Sequence, residues 1–289
     1  MYYNLSILAA LGAMLAWGFG DFFIQKVVRK VGDLEALAYI GVIGSIGLLP
    51  FVLPQINLIL SKQNLILLIS LGIITFLTAL LNFEALKKGK LSVIEVILEI
   101  ELPITIVLGV VFFKETITLI QLAIISLIFL GLLLVAFKSH HWKNFFKNLE
   151  KGVLIAIVAA IGLGLMNVLT GTSSKQISPI IAIWFPAVIF TLFCLIFIIK
   201  RNNLRKFIHH SFKYKYTILS MSILDTLAWL LFAFALVENK ISITTAITES
   251  YPAIALFLGL WFNKEKIDWH QYLGAFLALI SSVALALLI

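Results

Sequence analysis

Three carboxylates, Glu99, Asp225 and Glu249, lie inside stretches of this chain that are otherwise apolar enough for hydrocarbon. Glu99 follows Lys90 by nine residues and Glu249 follows Lys240 by nine. On a helix rising 1.5 Å per residue each is then about 13 Å deeper than its lysine, near the middle of a bilayer. Asp225, ten residues past Lys215, reaches a similar depth. An ionised carboxylate in contact with lipid is costly, so such residues face a bundle interior and mark the path of a substrate or ion. The plainer alternative is a neutral glutamic acid in an interhelical hydrogen bond. Trp229 stands one helical turn beyond Asp225, and a ring beside a carboxylate suits an amine or quaternary cation. Glu95 shares a helix face with Glu99, whereas Glu101 is about 200° round from it, so Glu99 and Glu101 do not line one cavity equally. Glu99 is favoured because it lies 150 residues before Glu249.

The elements that must hold these groups follow from composition. Of 289 residues, 62% are hydrophobic and 12% charged, well away from a soluble domain. Apolar stretches place ten membrane helices near 4–25, 34–54, 64–86, 91–113, 117–137, 152–174, 179–199, 214–237, 242–262 and 268–289. The N-terminal stretch has no basic residue before its apolar run, so it reads as a retained first span. Loops after the odd-numbered helices hold most of the lysines and all of the arginines, while the opposite side carries Lys62, Lys114, Lys175 and Lys240. That bias predicts a cytoplasmic membrane, with odd loops inside and both termini extracytoplasmic. It also accounts for the net charge of +8 without nucleic acid. Cys194, the single cysteine, excludes an internal disulfide, and His140, His141, His209 and His210 read as solvated loop residues. No metal site and no cofactor are expected.

Shifting the chain by 150 residues lays LGVVFFKE (108–115) on LGLWFNKE (258–265), with five of eight positions identical. The same shift pairs Gly12 with Gly162, Lys90 with Lys240, Ser92 with Ser242, Glu99 with Glu249 and Gln121 with Gln271. The chain therefore divides into a first five-helix repeat (1–137), a basic linker (138–151) and a second five-helix repeat (152–289). Five is odd, so the two repeats enter the membrane from opposite sides, which is the architecture of alternating-access carriers. The pattern E-x-x-P at 249–252, then Lys264-Glu265, Gln271 and Gly274, together with Trp17-Gly18 in the first span, resembles the repeat of EamA-type transporters in the drug/metabolite transporter superfamily. That resemblance implies an all-α integral membrane protein of ten helices. It also implies a central cavity lined by helices 1, 3, 6, 8 and 9, which here carry Trp17, Asn82, Asn167, Trp229 and Tyr251.

Some repeated polar residues are explained without transport. Thr118 with Gln121 and Asp268 with Gln271 read as capping boxes, and Glu115 and Glu265 as acids at the helix starts nearby. Pro103 and Pro252 should loosen their helices beside Glu99 and Glu249. The expected protein is not an enzyme but a secondary transporter, a monomer or homodimer, moving a small metabolite or amino acid, with an amine the favoured group. Glu249, Glu99, Asp225, Trp17, Trp229, Tyr251, Asn82 and Asn167 would bind substrate. Glu249 and Glu99, two carboxylates in a poorly hydrated space, would carry the coupled proton. The competing reading is an intramembrane enzyme or flippase for a lipid-linked substrate. The spans carry no arginine, and no GxxxxGK[ST] motif for ATP is present.

Overall fold

The computed structural model describes residues 2–88, 97–136, 152–263 and 268–288. Among them no strand occurs, and the helices are α1 (Tyr2–Val31), α2 (Asp33–Val52), α3 (Lys62–Lys88), α4 (Glu101–Phe113), α5 (Leu119–Ala136), α6 (Val153–Gln176), α7 (Pro179–Lys200), α8 (Leu204–Lys213), α9 (Lys215–Glu238), α10 (Ile241–Thr248), α11 (Tyr251–Asn263) and α12 (Trp269–Leu287). A 3-10 segment, Leu53–Leu60, extends α2. Among the described residues eight stretches are long and apolar enough to cross a membrane, α10 and α11 together forming one of them; α4 and α5 are shorter apolar helices. Large apolar side chains such as Leu8, Phe112, Leu119 and Trp261 point outward. Their number fits a lipid-facing surface and not an aqueous one.

Local chemistry sets the boundaries. Gly32, at φ 93°, turns the chain between α1 and α2, a conformation that costs glycine little. Pro179 opens α7, where its missing N–H is harmless. Both expected capping boxes form: Thr118 and Gln121 exchange hydrogen bonds at α5, and Asp268 and Gln271 do so at α12. The inner faces are small: Ala10, Ala13, Ala16, Ala156, Ala159, Ala160, Ala228 and Ala235 are buried, allowing close helix approach in a medium that offers no hydrophobic drive between spans.

Packing partners come in matched pairs under the 150-residue shift. α1 packs on α9 as α3 packs on α6; α1 meets α11 as α6 meets α4; α2 meets α9 as α7 meets α3. The α2–α7 and α5–α12 contacts each join counterparts. In the last of these the backbones nearly touch: a Cβ on Gly131 would lie 2.7 Å from the Gly274 carbonyl oxygen.

Two expectations change. The continuous helix expected over 91–113 is interrupted by a turn at Glu99 and Ile100, and that over 242–262 by a turn at Glu249 and Ser250. The expected loop at 200–213 contains α8, whose apolar Leu204, Phe207, Ile208 and Phe212 recur at helical spacing among basic residues. His210 is accordingly not a solvated loop residue. Its Nδ1 lies 2.8 Å from a Glu35 carboxylate oxygen, and beside it Tyr39 stacks on Phe207 with ring centroids 4.3 Å apart. His140, His141, Glu95 and Glu265 lie outside the described residues.

Candidate functional site

The breaks at Glu99 and Glu249 have a covalent cause. Proline has no N–H and its ring clashes with the carbonyl four residues back, which is Glu99 for Pro103 and Thr248 for Pro252. Tighter bonds take over in both places. Leu102 N–H donates to the Glu99 carbonyl at 3.3 Å, and Ser250 N–H donates to the Ile247 carbonyl at 3.3 Å. Each break thus places a partly buried glutamate where the helix has been unwound. The new helices start at Glu101 and Tyr251, again 150 residues apart.

Around the second break stands an aromatic crossing. Trp17 of α1 meets Trp229 of α9 edge-on at 5.0 Å, Phe232 at 5.5 Å and Tyr251 of α11 at 6.0 Å. Gly18 makes room for this: a Cβ there would lie 2.7 Å from Ile254 and 3.3 Å from the Tyr251 carbonyl oxygen. The Trp-Gly pair therefore has two tasks, a ring on the α11 N-terminus and a bare backbone beside it. The first break has a polar crossing in the equivalent place. Asn167 of α6 donates through Nδ2 to Glu101 at 2.7 Å and to the Thr105 hydroxyl at 3.3 Å. Gly164 gives the close approach here, since a Cβ on it would lie 2.6 Å from Ile104. Asn82 occupies the place of Phe232, and its buried Oδ1 has no hydrogen-bond partner among the described residues.

Asp225 lies one turn from Trp229 on α9, where α1 passes at Gly20, 3.8 Å from a Cβ there to the Asp225 nitrogen. It has no cationic partner among the described residues. The residues expected to bind substrate thus fall into two groups: Trp17, Trp229 and Tyr251 touch, with Asp225 beside them on α9, while Asn167 bonds Glu101 and Thr105 on the other side. The residue types and spacing did not single out Phe232 or Thr105, and Glu101 yielded to Glu99 because Glu99 has Glu249 as its repeat partner. The 150-residue shift held the missing signal, because it pairs Glu101 with Tyr251 and Phe232 with Asn82.

The Lys-Glu turn holds a different helix from the one expected. Glu115, instead of capping α5, reaches into the second half and caps α10. It accepts the Ile241 N–H at 2.5 Å, the Ser242 N–H at 3.1 Å and the Ser242 hydroxyl at 2.6 Å. Four first-turn N–H groups are unsatisfied at any helix start, and a carboxylate also complements the dipole there.

A sequence profile of the EamA-like transporter family matches residues 4–137 and 150–287, and the chain belongs to that family. It is a multi-pass helical membrane protein of a transporter family, not of an enzyme family. An uncharacterized protein of Methanocaldococcus jannaschii is 32% identical over 132 residues, which are 45% of this chain and 96% of that protein. That relative therefore corresponds to a single half. A protein of known crystal structure superposes with a TM-score of 0.78 over 98% of this chain and 96% of its own, at 10% identity, a likeness of fold alone.

Proposed function

We propose that the chain is a secondary transporter that moves a small metabolite or amino acid bearing an amine across the cytoplasmic membrane by alternating access. In this reading ten crossings form two inverted halves, 1–137 and 152–289, and Glu99 and Glu249 carry a coupled proton. The observation that carries it is the pair of helix breaks, which set a carboxylate and unwound backbone at positions of the two halves that are 150 residues apart. Broken helices at mid-membrane are where carriers of inverted architecture hold substrate and ion. The matched packing partners support a relation between the halves by a two-fold axis. The aromatic crossing, with Asp225 a turn from Trp229, supports a cationic group on that side. Asn82 and Asn167 offer hydrogen bonds on the other. The charge bias of the loops supports extracytoplasmic termini.

A thermal-stability screen of the purified protein against amino acids, polyamines and nucleosides across pH should identify a ligand. Its flux into liposomes should then depend on a pH gradient in wild type, and Glu249→Gln and Glu99→Gln should each abolish that dependence. Flux of the confirmed ligand with unchanged pH dependence in both variants would falsify the proton assignment.

A further inference from the structure

α10 has eight residues, all buried, running from the carboxylate of Glu115 at one end to Glu249 at the other. At 1.5 Å per residue that is about 12 Å of helix, too short to bend, so what holds its start also sets where Glu249 lies. The holding group belongs to the other half. Glu115 follows Lys114, the left-handed C-cap of α4 at φ 53°, and its N–H returns to the Gly109 carbonyl at 3.4 Å. Gly109 supplies the room, since a Cβ there would lie 2.5 Å from the Ser242 hydroxyl and 2.8 Å from the Glu115 carboxylate. Two lysines bind the same junction: Lys240 donates to the Thr116 carbonyl, and Lys175 donates to the Asn239 carbonyl at 3.1 Å while lying over the Phe113 ring.

We infer that Glu115 is a cross-half latch. It positions Glu249 through α10 and keeps the two halves joined at the end of the molecule that carries Lys114, Lys175 and Lys240. Three hydrogen bonds to one carboxylate must break together when the halves part there. Each charge-assisted bond shifts such an equilibrium on the order of tenfold or more. Removing the latch therefore raises the share of molecules open at this end, and Glu249 becomes reachable by water from that side. The inference rests on the alternating-access reading, and its test needs no substrate, so the two fail separately.

Thr245 is a suitable reporter. It is fully buried in α10 and its hydroxyl has no hydrogen-bond partner among the described residues, so Thr245→Cys breaks no side-chain hydrogen bond that holds the helix. The protein's own Cys194, buried in α7, is the internal control for general loosening. Full-length protein in nanodiscs would be labelled with a polar maleimide, and each site's rate read by peptide mass. Glu115→Ala should speed labelling at Thr245→Cys roughly tenfold or more, Ser242→Ala and Glu115→Gln by less, with Cys194 unchanged. Unaltered labelling in all three variants overturns the latch. So does a rise at Thr245→Cys that Cys194 matches, because the carboxylate would then be holding the whole fold and not one end of it. If Glu115→Ala does not fold, the same two outcomes decide through Glu115→Gln and Ser242→Ala.

Discussion

The aromatic crossing of α1, α9 and α11 and the polar crossing of α4 and α6 stand at equivalent places in two halves of one chain, yet they are built from opposite chemistry. Trp17 occupies in one what Asn167 occupies in the other, Tyr251 corresponds to Glu101, and Phe232 to Asn82. The backbone is shared: a helix begins at residue 101 and at residue 251, and a glycine lets the neighbouring helix close on it. The glycine is displaced by one turn, Gly18 matching Val168 and Gly164 taking over the task. A duplicated frame thus keeps the positions of its breaks while the side chains at the breaks diverge. The proposed carrier would then present rings to one end of a ligand and amide and carboxyl groups to the other, an arrangement suited to a molecule with one cationic and one hydrogen-bonding end.

The largest test of this contrast is Trp17→Ala. It empties the centre of the aromatic crossing and should cost ~3–5 kcal/mol of stability, read as a lowered unfolding midpoint in detergent. Val168→Gly, at the place of the other half equivalent to Gly18, should cost ~2–4 kcal/mol, since Val168 is buried and the change loses its burial as well as the helix preference. Gly18→Val acts by another route: it puts a methyl where Ile254 already stands and should cost ~1–3 kcal/mol in the same assay. Asn167→Leu strips Glu101 of its amide donor at a cost of ~1–3 kcal/mol, and adding Glu101→Leu should return part of it, since two matched apolar groups leave nothing unsatisfied. Trp229→Phe, which shortens one edge-on ring contact, should give the smallest change, ~0.5–1.5 kcal/mol, with a clearer effect on ligand KM than on stability.

Much of this frame was readable from residues. Runs of apolar sequence located the helices, and a constant shift exposed the duplication, because glycines and charges coincide by chance far less often than leucines do. Pro103 and Pro252 pointed to the breaks. What the sequence did not reveal depends on which side chains meet across distance. Asn167 and Glu101 are 66 residues apart, and their bond requires the turn at Glu99 to rotate Glu101 toward α6. Glu115 looked like a local cap because helix starts are read locally, yet its partners come from the opposite half. His210 was read as a loop residue because a ten-residue basic segment is short beside a membrane span. Its periodicity, not its polarity, was the signal of α8.

The cap on α10 also sets an order of assembly. Glu115 leaves the ribosome 126 residues before Ile241, whose N–H it accepts. N-terminal regions fold first as a chain is made, so the first half must insert while this carboxylate still lacks its helix. Ile241 and Ser242 supply three donors at once when they arrive. The first half is therefore finished by the second, and a chain ended near residue 137 would carry at one end an acid with no helix to cap.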